Sequence, residues 1–168
     1  MDLYPNYYCD RITDIEVDFL KKNNIKALIL DVDNTLLDTD KIVLEGLEEW
    51  HKKIVDAGIE SIIVSNSNKL DKIQNMAKLL NISYIRLALK PLKRGLKKAQ
   101  KQLNIPFENI AAIGDQIFTD VIGANRCGMF SILVKPINEK DLWMTKWKRP
   151  IENKIIQKYL DKINSKEE

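Results

Sequence analysis

An α/β fold, with a central parallel sheet between two layers of helices in a Rossmann-like three-layer α/β/α sandwich, is what this sequence predicts. Three observations carry the prediction. Short, almost purely apolar runs recur along the chain. Stripes with helical spacing alternate with them. Three of the runs end on side chains able to do chemistry: Ala27-Leu28-Ile29-Leu30 leads into Asp31-Val32-Asp33-Asn34-Thr35, Ser61-Ile62-Ile63-Val64 into Ser65-Asn66, and Ala111-Ala112-Ile113-Gly114 into Asp115-Gln116-Ile117-Phe118-Thr119-Asp120. Parallel strands covered on both faces read as continuous apolar runs, and ligands of such sheets bind beyond the strands' carboxyl ends.

The elements follow in order. An amphipathic opening helix is expected with Asp14 as its cap and Val17 and Leu20 turned inward. Ile25 to Leu30 reads as a strand. Leu44, Leu47, His51 and Ile54 share one helical face, and Gly58 stops that helix. Glu60 to Val64 is the second strand, and Leu70, Ile73, Ala77 and Leu80 form the next helical stripe. A short apolar run from Ile82 to Leu89 follows. Pro91 suits the first turn of a helix running through Leu96, Ala99 and Leu103. Ile110 to Ile113 is a strand, Thr119 to Cys127 a helix ended by Gly128, and Phe130 to Val134 the last strand. Pro150 opens a final helix striped by Ile151, Ile155 and Tyr159 beside Ile156, Leu160 and Ile163, and Lys166 to Glu168 read as a frayed end. Strand and helix in alternation imply right-handed βαβ units. The 168 residues form one domain on this reading: an extension and helix over 1–24, a catalytic core over 25–135 and an aromatic, basic segment with a helix over 136–168.

Composition excludes several classes. The 27 Lys and Arg against 24 Asp and Glu leave a net charge of +3, so no nucleic-acid partner is expected. Cys9 and Cys127 are too few for a disulfide framework or a four-thiolate zinc site, which predicts a reducing, cytoplasmic setting. The start of the chain has no apolar h-region, and no segment reaches the roughly 20 apolar residues of a spanning helix. His51 is the single histidine, so Ser-His-Asp hydrolases, His-rich dinuclear phosphatases and histidine phosphatases are ruled out. Neither cysteine has an arginine six positions on, and no Gly-x-x-x-x-Gly-Lys-Ser/Thr segment exists. The nucleophile expected is a carboxylate or water.

Asp31 and Asp33 stand two apart where a strand runs out, and extended backbone points both to one side. One carboxylate can attack phosphorus, while its neighbour protonates the leaving alkoxide and later deprotonates water. A phosphate dianion approaching an anionic nucleophile needs cations nearby. Asp115 would hold Mg²⁺ opposite Asp31, with Asp120 in support, and Lys90 would add a second positive charge. The Ser65 hydroxyl can donate to a phosphoryl oxygen, with Asn66 beside it for substrate binding. Each residue alone has an ordinary reading: Asp, Ser and Asn cap helices, Lys90 competes with Lys93, Arg94 and Lys97 as helix charge, Thr119 is a helix cap, and His51 is structural.

Asp31-Val32-Asp33-Asn34-Thr35, Ser65-Asn66, Lys90-Pro91 and Gly114-Asp115-Gln116-Ile117-Phe118-Thr119-Asp120 resemble, in order, the four motifs of the haloacid dehalogenase superfamily of phosphohydrolases. The wording Asp-x-Asp-Asn-Thr-Leu, Val-Ser-Asn, Lys-Pro and Gly-Asp-Gln-x-x-Thr-Asp resembles its YqeG-like branch (class IIIA) from Tyr4 to the last helix, a branch similar to phosphatidylglycerophosphate phosphatases. The resemblance implies Asp31 as nucleophile, Asp33 as acid/base, and the Asp33 backbone carbonyl with Asp31 and Asp115 as Mg²⁺ ligands. It also implies a membrane-borne lipid phosphomonoester, phosphatidylglycerophosphate, as substrate. The superfamily's substrate-covering caps are inserted between its first and second or second and third motifs. Here Thr35 to Ser65 leaves room for a turn and one helix, and Asn66 to Lys90 for a helix and a strand, so no cap domain is expected.

Trp143-Met144-Thr145-Lys146-Trp147-Lys148-Arg149 combines aromatic and basic side chains suited to a bilayer interface, with Tyr4, Tyr7 and Tyr8 as a second aromatic edge. A peripheral contact at the inner face of the membrane is one reading; aromatics folded back over the sheet's flank is the other. Rival functions are a phosphatase for proteins, nucleic-acid ends or small metabolites, and a non-catalytic phospho-acceptor or regulatory module. Asp33 favours turnover over storage of the phosphoryl group.

Overall fold

A computed structural model describes residues 2–138 and 146–165. Six parallel strands form one sheet: β1 (Tyr7–Cys9), β2 (Ala27–Leu30), β3 (Glu60–Val64), β4 (Ser83–Ile85), β5 (Ile110–Gly114) and β6 (Phe130–Val134), in the order β1-β6-β5-β2-β3-β4. The helices are α1 (Val17–Lys22), α2 (Leu47–Asp56), α3 (Leu70–Leu80), α4 (Lys93–Leu103), α5 (Ile122–Cys127) and α6 (Arg149–Asn164).

Alternation along the strands explains the layers. Leu28, Leu30, Ile63 and Ile113 face one side, where Leu20 of α1, Leu47, Trp50 and Ile54 of α2 and Ile73, Met76 and Leu80 of α3 pack on them. Ala27, Ile29, Ile62 and Ala112 face the other, under Leu96, Ala99 and Leu103 of α4 and Ala124 of α5. Burial on both faces is why the strands read as unbroken apolar runs. Trp50 is accommodated because its indole N–H donates to the Ile15 carbonyl at 2.7 Å. His51 is buried within α2, a structural position.

Several local expectations shift. The structure adds β1, which pairs parallel with β6 and is only three residues long. Asp14 caps no helix; it closes a 3₁₀ turn over Ile12–Asp14 by accepting the Arg11 N–H, and α1 starts after Glu16. The segment expected as one helix from Thr119 begins instead as a π-helical turn over Ile117–Val121 and becomes α-helical at Ile122. α4 starts at Lys93 rather than at Pro91. Trp143 to Thr145 and Lys166 to Glu168 lie outside the described residues.

Because every strand runs the same way, Asp31, Ser65, the loop carrying Lys90, and Asp115 all leave the sheet at its carboxyl edge. Among the described residues no cap intervenes there. A tight turn and a short loop join β2 to α2, and only α3 and β4 separate Asn66 from the Lys90 loop.

Candidate active site

Four segments build the site. After β2, Asp31 donates its backbone N–H to the Ile113 carbonyl at 3.0 Å, which locks the start of the loop to the neighbouring strand. The chain then reverses: the amides of Thr35, Leu36 and Leu37 donate to the Val32 carbonyl, and Asn34 takes the left-handed backbone that a turn after Asp33 requires. Ser65, at the end of β3, is fully buried, and its Oγ accepts the Ser67 N–H at 3.1 Å. Its hydroxyl proton is left to serve another acceptor.

Lys90 arrives on the loop after β4. The Asn66 side chain holds it from both sides, with Oδ1 accepting the Lys90 N–H at 2.7 Å and Nδ2 donating to the Lys90 carbonyl at 3.0 Å. Gly95 of α4 supports the loop from beneath: a Cβ there would lie 2.6 Å from the Ala88 side chain and 2.7 Å from its carbonyl. Thus anchored, the Lys90 ammonium donates to Asp31 Oδ1 at 2.9 Å and Asp120 Oδ1 at 2.7 Å.

Asp115 follows β5. Gly114 is required before it, since a Cβ at that position would collide with the Asp120 carboxylate folded against the strand end. Asp120 also accepts the Gln116 N–H at 3.1 Å. The Arg149 guanidinium, from the first turn of α6, donates to Asp115 Oδ2 at 2.5 Å and to the Asp115 carbonyl at 2.9 Å.

Asp31 and Asp115 therefore lie in one carboxylate cluster that Lys90 reaches, Asn66 holds Lys90, and Ser65 ends the adjacent strand at the same sheet edge. Asp33 sits beside them with its carboxylate paired to the Lys72 ammonium of α3. Sequence reasoning missed Lys72 and Arg149. Lys72 is one of three charged residues on α3 and carries no motif, and Arg149 follows the last motif by almost thirty residues. In sequence Arg149 belongs to a basic patch, and its three-residue offset from Glu152 is the single signal of a specific pairing.

Electrostatics follow from crowding. Burial is the main cause of a raised Asp31 carboxyl, pushed to about 7; Lys90 opposes the rise, while Asp120 and Asp33 add to it. Burial and the Asp31 charge raise Asp115 well above the usual carboxylate range, against Arg149. Burial disfavours the Lys90 ammonium, yet Asp120 and Asp31 outweigh it and hold the group above its ordinary value. Such opposed environments mark a site poised for ionic chemistry.

The donor set fits a hard divalent cation. Asp31, Asp115 and Asp120 each offer a carboxylate oxygen, all within 4.8 Å of one another. Asp115 Oδ1 is buried with no hydrogen-bond partner. An all-oxygen cluster with an orphaned anionic atom suits Mg²⁺ or a similar ion.

Fold and site together define a haloacid dehalogenase-type phosphohydrolase, a phosphoric monoester hydrolase. The sequence profile of the family described as mitochondrial PGP phosphatase matches residues 2–138, and the chain belongs to that family. It is 34% identical over 153 residues to the probable phosphatase YqeG of Bacillus subtilis (strain 168), covering 90% of this chain and 88% of that one. It is 24% identical over 160 residues to the chloroplastic/mitochondrial phosphatidylglycerophosphate phosphatase 1 of Arabidopsis thaliana, covering 88% of this chain but 45% of that protein. Among solved structures, the cobalt-bound deoxy-D-mannose-octulosonate 8-phosphate phosphatase (YrbI) of Haemophilus influenzae superposes with a TM-score of 0.51 at 21% identity, over 68% of this chain and 81% of that one. That likeness shows the shared fold.

Proposed function

We propose that this phosphatase is a Mg²⁺-dependent enzyme working through an aspartyl-phosphate at Asp31, and that its substrate is a membrane lipid phosphomonoester of the phosphatidylglycerophosphate type. Asp31 attacks phosphorus, and the Asp33 carboxyl gives the leaving alkoxide its proton. Asp33 then draws a proton from the water that hydrolyses the acyl phosphate. Ser65 donates its hydroxyl to a phosphoryl oxygen, and Lys90 balances the charge on Asp31 as the dianion approaches. Asp31 and Asp115, with the Asp33 carbonyl, would hold the Mg²⁺, which when bound supplies the positive charge that the incoming phosphate needs.

The observation that carries the lipid reading is that exposed apolar side chains accompany the site segments along the chain. Most of the large apolar side chains exposed among the described residues flank site residues in sequence: Leu87, Leu89 and Leu92 around Lys90, Ile42 and Val43 in the loop after β2, and Trp147 and Ile151 around Arg149. Trp147 is 66% exposed and Leu89 55%. Leu87 and Leu89 hold left-handed backbone, a conformation costing about 1–3 kcal/mol for such residues that tends to persist at functional sites. A cavity of about 280 Å³ is lined by Leu37, Val43, Met76 and Leu79 together with Lys41, Lys72 and Asn75. Exposed apolar side chains that gather into a rim mark an interaction surface. No helix among the described residues is long and apolar enough to cross a membrane, so contact with lipid would be peripheral. Tyr4, Tyr7 and Tyr8 do not join this rim: Tyr4 packs on Tyr159, Tyr7 on Phe19, and Tyr8 with Leu3, Ile155 and Ile156.

Purified enzyme assayed on phosphatidylglycerophosphate vesicles and on soluble phosphomonoesters tests both parts. Asp31→Asn is expected to lower turnover of every substrate by at least about 10⁴-fold, and EDTA to do likewise. Undiminished turnover by D31N rules out the covalent route. Equal kcat/KM on vesicles and soluble phosphates rules out the lipid.

A further inference from the structure

We infer that Arg149 is a positioning residue for the ion ligand Asp115, which makes α6 a working part of the site. This rests on Asp115 being a ligand, as proposed above, and the experiment below separates the two. Neither Arg149 nor its partner Glu152 lies within the residues matched by the family profile, which end at 138.

An Arg and a Glu three apart at the start of a helix are ordinarily a solvated pair of little consequence. Here they are not solvated. The side chains of Arg149, Glu152 and Asp115 are 13%, 2% and 1% exposed. Arg149 grips two atoms of one residue, the Asp115 carbonyl at 2.9 Å and Oδ2 at 2.5 Å. Holding the main chain and the carboxylate at once removes the rotational freedom by which that carboxylate could turn away. Oδ2 is consumed, and Oδ1 is the atom left buried without a partner.

The clamp is itself clamped. Glu152 Oε2 accepts from Arg149 Nη1 at 3.2 Å, and Glu152 Oε1 accepts the Phe118 N–H at 3.1 Å. Phe118 belongs to the π-helical turn that also carries Asp120. One chain of contacts therefore runs from the turn through Glu152 and Arg149 to Asp115. Outer contacts that orient a ligand commonly set metal affinity. A lysine could not reproduce the two-pronged grip, because its ammonium is a single point charge without the planar fork.

Two other roles for Arg149 predict different results. A counter-ion standing in for the metal would compete with it, so removal would tighten binding. A phosphate-binding arginine would alter KM without altering metal affinity. The test is Mn²⁺ binding to the full chain without substrate, followed by the electron paramagnetic resonance of free Mn²⁺, alongside kinetics on a soluble phosphomonoester at saturating Mg²⁺. For Arg149→Ala the Mn²⁺ dissociation constant is expected to rise about 10- to 100-fold. KM at saturating Mg²⁺ should move by less than about twofold, because the role is exerted through the ion site. Arg149→Lys should recover part of the affinity, and Glu152→Gln, which keeps an acceptor for the Phe118 N–H, should lose less than Arg149→Ala. An unchanged or lowered dissociation constant in Arg149→Ala overturns the inference, as does a raised KM with metal affinity intact. If Arg149→Ala does not fold, Arg149→Lys and Glu152→Gln are judged by the same criterion. Wild-type protein that binds no Mn²⁺ overturns the ligand assignment of Asp115 as well.

Discussion

Two cations serve one cluster of carboxylates through different members of it, and they reach it by different routes. Lys90 sits on a loop next to the sheet, fixed by Asn66 and by the close approach of Gly95, and it bridges Asp31 and Asp120. Arg149 comes from α6 and holds Asp115 through side chain and main chain together, with Glu152 paired behind it. A flexible ammonium with rotatable donors can follow charge as it shifts between a nucleophile and its neighbour, whereas a planar guanidinium fixes geometry. On the proposed mechanism the difference would leave charge balance during the reaction to Lys90 and the shape of the ion site to Arg149.

The sharpest way to break that division is Lys90→Met. It leaves Asp31 and Asp120 buried without their cation, so the metal-free protein is expected to lose about 3–5 kcal/mol of stability. At saturating Mg²⁺, kcat should still fall about 10²- to 10³-fold, since the lost charge acts on the reacting phosphate. Urea denaturation in EDTA and steady-state kinetics measure the two effects. If saturating Mg²⁺ restores kcat in Lys90→Met, the two cations share one task and the contrast fails.

The half of the site around Lys90 was legible in the sequence, and the half around Arg149 was not. Parallel strands buried on both faces advertise themselves as apolar runs, and Asp31, Ser65 and Asp115 stand where those runs stop. Lys90 carried the proline beside it as a signal. Arg149 and Glu152 offered only a helical three-residue offset, identical in sequence to a surface pair; their burial exists because α6 packs Ile155 and Ile156 against Tyr8 and Leu133. β1 escaped notice because three residues, two of them tyrosines, are too few to show a period. Leu87 and Leu89 read as part of a strand run, yet the chain turns left-handed at both and exposes them.

Acidity sharpens the comparison next. In metal-free protein the Asp31 carboxyl is raised from 3.8 to about 7, chiefly by burial, with Lys90 opposing. Between those values the folded protein retains a proton that the unfolded chain has released. The unfolded state then binds fewer protons, so stability falls as pH rises through this window and levels off for this group above about 7. Urea midpoints in EDTA, stepped from about pH 4.5 to 8, should therefore decline. Midpoints that hold steady or climb would mean that Lys90 outweighs burial and keeps Asp31 ionised throughout, a larger share of the charge balance than assigned here.

The smallest effect expected is at Asn66, and it asks whether Lys90 needs its anchor. Asn66→Ala removes both side-chain hydrogen bonds to the Lys90 backbone, each worth about 0.5–1.5 kcal/mol. The fold has larger supports, so a stability loss of about 1–3 kcal/mol and a kcat reduced about tenfold by a loosened ammonium are the expected outcomes. Asn66→Asp separates anchoring from direct contact with substrate. Its carboxylate still accepts the Lys90 N–H but cannot donate to the carbonyl, so anchoring alone predicts an intermediate kcat and an almost unchanged KM. If Asn66 instead touches the phosphate, the added negative charge must repel it and raise KM well beyond the value in Asn66→Ala. That result would move Asn66 from the frame that holds Lys90 to the surface that meets the substrate.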